Sequence, residues 1–295
     1  MSVGVLVVAE ASHSREIAAA VTAAGATPLS AVELASTAPL AVWAKEQEPT
    51  AAELPKDVDL VVMCRQPSLA KMVERIRRSQ ANHMLSCDAA GIEALTVTLK
   101  KLISGDLFGL EKYGKATEAI QLQRLRSHED RLRALETIET FAEAAGVRRS
   151  VRQSIVQATE ELLMNALYDA PVDDSGQMIY ADVPAKQRLT MLSPRPVSLR
   201  YAAHQDGFSI AVRDRFGRLD KATVLKILDK CLHKNDQVDR KTYGAGLGLY
   251  LTASTATDLV FNVARGVASE VICCFDRVPT RLRTLSFFSH RESDA

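Results

Sequence analysis

Residues 244–250 read GAGLGLY and run without a break into YLTASTATDL, 250–259. Small residues fill positions 244, 245, 246 and 248, with leucines between and after them. Glycines ahead of a helix let backbone N–H groups approach an anion, and the helix dipole favours negative charge at that end. A helix-packing seam or a hinge would use the same letters. The run is not the dinucleotide fingerprint, because no βαβ unit with a following acidic residue accompanies it. A polar, helix-prone stretch, 220–243, leads into it.

Two segments upstream narrow the reading. RRSVRQSIVQATEELLMNALYDA (148–170) has helical periodicity and is closed by Pro171. At about 100° per residue, Ile155, Ala158, Leu162 and Ala166 share one face, the expected core. Glu160 points away from that face and is expected in solvent. Glu161 and Asn165 flank the apolar stripe as i, i+4 neighbours, so their side chains meet. A carboxylate and an amide at a core edge need partners; a helix-surface hydrogen bond between them is one solution. Further on, VSLRYAAHQDGFSIAVRD (197–214) reads as a β-hairpin around a His-Gln-Asp-Gly turn. Its second strand ends at Asp214 and the chain turns at once, with Gly217 three residues on.

The bulk properties fit a globular chain. The 295 residues suffice for two domains, and 47% hydrophobic with 25% charged residues excludes disorder and fibrous repeats. A formal net charge of +1 gives no global pull toward nucleic acid or membrane. No apolar run is long enough to span a bilayer. MSVGVLVVAEAS lacks a basic start and reads as a buried strand, not a signal peptide. Five cysteines without a CxxC pair suggest a reducing, cytoplasmic setting. Cys273 and Cys274, in SEVICCFD (269–276), are expected to face opposite sides of a strand. The six histidines show no ligand spacing.

The first 105 residues alternate strand and helix signals. VGVLVVA (3–9), ATPLSA (26–31), VDLVVMC (58–64) and HMLSC (83–87) read as strands. SREIAAAVTAAG (14–25), SLAKMVERIRRSQ (68–80) and GIEALTVTLKKLISG (91–105) read as helices between and after them. That alternation predicts a small parallel, flavodoxin-like sheet with helices on both faces. It divides the chain into domain 1–105, a linker 106–115, a second domain 116–280 and a C-terminal tail 281–295. Within that tail, RLRTLSFFSH carries exposed-looking aromatics that suit a sheet edge or a partner.

The order of the three motifs resembles the GHKL (Bergerat-fold) ATPase family, which holds gyrase-type ATPases, histidine kinases and anti-sigma-factor serine kinases. EELLMNAL (160–167) is similar to its N box, DRFG (214–217) to its first glycine box and GAGLGL (244–249) to its second. The likeness spans about 116–277. It implies an α/β sandwich with helices on one face of a mixed, mostly antiparallel sheet, and ATP with Mg²⁺ as cofactors. Asn165 would hold Mg²⁺, and Glu161 would be the general base toward water or an acceptor hydroxyl. Asp214 would accept from the adenine amino group, with Gly217 in the same box. Gly244, Gly246, Leu247 and Gly248 would border the phosphates. The stretch 220–243 would be a mobile lid, with Lys230, Lys234 and Lys241 as phosphate-facing charges. Phe216 stands where the family has a glycine, and Ser269 stands where it has a threonine.

Two further motifs fit poorly. GLEKYGKAT (109–117) nearly spells a P-loop, but Ala116 replaces the metal-binding hydroxyl and no strand precedes it. RSHEDRLRAL (126–135) resembles the phosphoacceptor box of histidine kinases at His128, yet no two-helix hairpin fits before Asn165. Helix capping by Ser127, with Glu129 and Asp130 at the positive end, explains it as well. The compact layout resembles the anti-sigma-factor branch, whose members phosphorylate a serine on a protein partner or sequester it. A non-catalytic interaction module with a vestigial ATP site is the competing reading, and an atypical histidine kinase a third. A sigma- or anti-sigma-like protein partner is expected, without direct nucleic-acid or membrane binding, and a homodimer is left open. The first domain is similar to a receiver, but its expected third strand ends in Met63 and Cys64 where a phosphoacceptor Asp would stand.

Overall fold

The computed structural model describes residues 3–29, 38–47, 49, 53–54, 57–79, 81–114, 119–234, 246–278 and 280–290. The chain separates into two compact units, 1–107 with 282–288 and 108–281 with 289–295.

The first unit is built from β1 (Gly4–Ala9), α1 (Ala11–Ala23), β2 (Thr27–Leu29), β3 (Leu40–Ala44), β4 (Asp59–Cys64), α2 (Leu69–Arg78), β5 (His83–Ser86) and α3 (Ala89–Ser104). Its five strands are parallel in the order β2-β1-β3-β4-β5, the order of flavodoxin-like doubly wound sheets. Strand side chains alternate between faces. Val5, Val42, Val61, Met63 and Leu85 pack with Ile17 and Val21 of α1 and Leu95 and Leu99 of α3. Their neighbours Leu6, Ala41, Leu60, Val62 and Met84 are equally buried, which is why these strands read as unbroken apolar runs. Ser68 caps α2 and Asp88 caps α3.

The strand count corrects the receiver comparison. LAVWA (40–44) is a strand that sequence reading passes over, so VVMC closes the fourth strand, not the third. The third ends at Ala44, with Lys45 following, and no aspartate stands at that point.

The second unit contains a 3-10 turn (Leu110–Lys112), β6 (Gln121–Leu125), α4 (His128–Ala144), α5 (Arg149–Met164), α6 (Ala185–Arg188), β7 (Val197–Ala203), β8 (Gly207–Asp214), α7 (Lys221–Lys234), α8 (Leu247–Thr255), β9 (Asp258–Ala264) and β10 (Ala268–Asp276). The strands run β9-β10-β8-β7-β6, with antiparallel pairing from β10 to β9 and through β8 and β7 to β6. α5 packs against α4, α8 and strands β8 and β10. Ile155, Ala158, Leu162 and Ala166 are all buried, as the periodicity predicts. Each large apolar side chain so buried contributes roughly 1.5–3 kcal/mol. Glu160 is half-exposed, but not idle: its carboxylate pairs at 2.6 Å with the buried guanidinium of Arg131 on α4. Cys273 is buried and Cys274 partly exposed, on opposite faces of β10.

His128 opens α4 and its Nδ1 lies 3.0 Å from Arg131. Ser127 and Asp130 form a reciprocal capping box there. Backbone N–H donation from Arg126, with help from Arg133 and Ser127, holds the Asp130 carboxyl down at about 2.

Of the two roles open to the C-terminal aromatics, a sheet edge or a partner, the structure shows the sheet edge. Residues 284–289 form β11 (Thr284–Ser289), whose Thr284, Leu285 and Ser286 pair antiparallel with Leu85, Met84 and His83 of β5. Phe287 and Phe288 are buried, not exposed, and Phe288 lies 4.3 Å from the His83 ring. The segment therefore covers the β5 edge, a standard answer to unpaired strand edges.

Candidate functional site

Glu161 and Asn165 meet as their spacing predicts: Asn165 Nδ2 donates to Glu161 Oε1 at 3.3 Å. The helix changes character at this point. Residues Asn165–Asp169 form a π-helical segment, with Ala170 N–H bonded to the Asn165 carbonyl at 2.8 Å. Such segments are rare and recur at functional sites.

The glycine run brings a second element to the same carboxylate. Gly246 caps α8 with φ +116°, and a side chain there would reach Ile227 of α7 at 2.7 Å. Gly248 lies directly against Glu161: a Cβ would stand 1.9 Å from Oε2. The Leu249 N–H, in the first turn of α8, donates to Glu161. The carboxylate thus sits at the positive end of a helix dipole. Burial nevertheless raises its pKa, with repulsion from Asp169 and Glu160 adding to the effect and the Asn165 and Leu249 hydrogen bonds opposing it. A carboxylate shifted upward in this way suits proton acceptance. Asp169, itself half-exposed, faces Arg188 at 3.6 Å.

Asp214, Gly217 and Ser269 form a separate group at the ends of β8 and β10. Asp214 and Ser269 are register partners. Asp214 Oδ1 accepts from the N–H groups of Phe216 at 2.7 Å and Gly217 at 3.1 Å. The backbone and hydroxyl of Ser269 donate to the same carboxylate, whose pKa burial pushes up. Ser269 Oγ in turn accepts from Leu219 N–H at 3.2 Å. Phe216, in the place of a family glycine, is buried with Arg195 stacked 5.2 Å over its ring. Gly217 takes φ +64° and packs against the backbone of Ala264, Gly266 and Val267.

A stability prediction follows from Asp214. Asp214→Ala leaves the N–H groups of Phe216, Gly217 and Ser269 and the Ser269 hydroxyl without this acceptor and is expected to cost about 3 kcal/mol or more. Asp214→Asn retains one acceptor oxygen and is expected to keep the turn. The raised folded pKa means the native state holds this proton more tightly than the unfolded chain. Stability from this group is therefore present below the ordinary aspartate range and declines as pH rises through the folded pKa. Urea unfolding of wild type and Asp214→Asn across pH should differ by that slope, the other shifted carboxyls contributing equally to both.

The sequence thus brings Glu161, Asn165, Gly246, Leu247 and Gly248 to the α5–α8 junction, and Asp214, Gly217 and Ser269 to the sheet end. Lys230 is exposed on α7. Gly244 and Lys241 lie outside the described residues, as does most of the expected lid after α7. The P-loop-like segment is also partly outside them, and its Gly109 N–H donates to the buried carboxylate of Glu270 at 2.9 Å. What sequence reading misses is the direct contact of Gly248 and Leu249 with Glu161. The i, i+4 rule finds contacts within a helix, not the neighbour packed across it. Among the described residues no three His, Cys, Asp or Glu side chains are grouped to hold a metal ion, and no helix is long and apolar enough to cross a membrane.

No protein-family model matches the chain, and no curated protein matches it. Among solved structures it is similar to a chain of the SiaB–SiaC complex from Pseudomonas aeruginosa, at 12% identity and a TM-score of 0.39, over 60% of this chain and 98% of that one. At that identity and score the likeness assigns neither a family nor an activity.

Proposed function

We propose that the second unit binds Mg²⁺-ATP at the α5–α8 junction and serves a signalling role of the anti-sigma type, phosphorylating a hydroxyl on a protein partner or holding that partner. One observation carries the reading: Gly248 leaves room for the Glu161 carboxylate, and Asn165 orients it from the other side. Two of the three motif-like segments, EELLMNAL and the described part of GAGLGL, thus meet at one carboxylate.

The donor set fits the cofactor. With Nδ2 committed to Glu161, Asn165 keeps Oδ1 as a hard oxygen that could serve as the ligand. Mg²⁺ commonly takes one or two protein oxygens and keeps waters and phosphate oxygens for the rest. The α8 N-terminus, lacking a Cβ at positions 246 and 248, suits phosphate approach. Bound Mg²⁺-ATP supplies a γ-phosphoryl group with its charge neutralised for attack. Glu161 would take the proton of the attacking water or hydroxyl, and Asn165 would keep its carboxylate aligned. Asp214, already accepting from Phe216, Gly217 and Ser269, would take the adenine contact by giving up one of those hydrogen bonds, with the Ser269 hydroxyl free to rotate toward the ligand.

A specific observation favours the competing reading of a non-catalytic module. The Leu249 N–H donates to Glu161, so the carboxylate also acts as a cap of α8, a purely structural duty. Incubation with γ-labelled ATP separates the readings. Released phosphate or acid-stable label on a partner supports ATP chemistry. Binding without turnover, unchanged in Glu161→Gln, supports the module. Acid-labile label lost in His128→Ala supports the histidine-kinase alternative.

A further inference from the structure

The first unit carries a crevice that the nucleotide reading leaves unused. It is a cavity of about 140 Å³ lined among others by Glu10, Lys45, Arg65, Lys71, Arg75 and Cys87. These residues come from the carboxyl ends of β1, β3 and β4, the residue after β5, and the first two turns of α2. In a 2-1-3-4-5 sheet the order reverses between β1 and β3, and ligands bind outside the carboxyl ends of the strands at that switch point. The crevice lies at that switch point.

Its chemistry selects the ligand. Four cations, Lys45, Arg65, Lys71 and Arg75, and two carboxylates, Glu10 and Glu46, line the crevice. The lining carries a surplus of two positive charges. Arg65 pairs with Glu10. Arg75 is buried and donates to the Lys45 carbonyl at 3.3 Å, which fixes it in place. Arg75 and Lys71 both act electrostatically on the Cys64 thiol inside the crevice, although burial outweighs them and keeps its pKa raised. Guanidinium forks beside a lysine suit tetrahedral oxyanions. A phosphate monoester carries about −1.5 to −2 near neutral pH, matching the surplus. The volume is small against the roughly 300–1,000 Å³ of pockets that enclose whole ligands, so it suits a head group.

We propose that this crevice binds a phosphoryl group, as inorganic phosphate or as the head of a small phosphomonoester, through Arg65, Lys71, Arg75 and Lys45.

The chain supplies its own reporter. Trp43 is the single tryptophan. It ends one residue before the crevice lining, and Lys45 Nζ lies 5.3 Å over its ring. An anion drawing on Lys45 changes that contact. Trp43 emission in the full-length protein should be titrated with inorganic phosphate and, separately, with glycerol phosphate, at ionic strength matched by sodium chloride. The expected result is a saturable change with at least one of them, and the tighter ligand identifies the source. Lys71→Gln and Arg65→Gln remove exposed side chains and spare the core. Each should weaken binding about tenfold, the loss of one charge-assisted hydrogen bond. If neither ligand saturates the signal, or both variants leave the curves unmoved, the proposal is overturned. The readout lies in the first unit and is independent of ATP binding in the second.

Discussion

Gly217→Ala should unfold the second unit more readily than any other single methyl addition considered. A Cβ at this position would stand 2.1 Å from the Ala264 carbonyl oxygen and 2.7 Å from the Val267 nitrogen. Both are backbone atoms of the β9–β10 turn, which cannot swing aside as a side chain can. The residue also holds φ +64°, a conformation that costs a non-glycine residue about 1–3 kcal/mol. Overpacking adds a similar amount, so the expected loss is about 3–5 kcal/mol, and for a unit of this size the melting temperature should fall by about 10 °C or more. Gly176→Ala, in the same unit, is the control. Gly176 has φ +82° with nothing within 4 Å, so only the conformational cost remains, about 1–2 kcal/mol. Equal destabilisation by the two variants would show that the contact with the β9–β10 turn is not tight.

The largest effect on activity is expected at Glu161. If its carboxylate accepts the proton during phosphoryl transfer or hydrolysis, Glu161→Gln should lower kcat about 10²–10⁴-fold. The amide retains the shape and can still meet Asn165, so folding should be preserved. Gly248→Ala tests the same point from the other side. Its Cβ would collide with Glu161 Oε2, at 1.9 Å, and with the carboxyl carbon, at 2.2 Å. These atoms end a flexible side chain, so the carboxylate moves while the backbone stays. Gly248→Ala should therefore melt near the wild-type temperature yet share the activity loss of Glu161→Gln. The double variant should be no worse than either single one, because both remove one positioned group. Additive losses would assign the two residues separate tasks.

Some of this arrangement is legible in the sequence, for definite reasons. The face of α5 that carries Ile155, Ala158, Leu162 and Ala166 follows from a 3.6-residue period alone, and the Glu161–Asn165 contact follows from i, i+4 geometry. The hairpin of β7 and β8 follows from apolar runs around a polar turn. β3 escapes because LAVWA (40–44) is short and sits amid alanine-rich sequence that suits a helix equally well. β11 escapes because a terminal run of aromatics reads alike whether it pairs with a strand edge or stays exposed. The π-helical segment at Asn165–Asp169 has no letter pattern of its own. The role of Gly248 is the instructive case: its freedom from a side chain matters less for φ than for the space it leaves to a carboxylate on a different helix. The crevice of the first unit is likewise assembled from positions scattered between residues 10 and 87, visible only once the strand order is known.

Thermal unfolding of the full chain with and without Mg²⁺-ATP tests the central claim most directly. A ligand at 100 times its Kd stabilises the native state by about 2.7 kcal/mol. Millimolar Mg²⁺-ATP should therefore raise the melting temperature of wild type by several degrees. Asn165→Ala should lose the part of that shift that depends on Mg²⁺. An unchanged wild-type melting temperature in saturating Mg²⁺-ATP would contradict nucleotide binding at the α5–α8 junction.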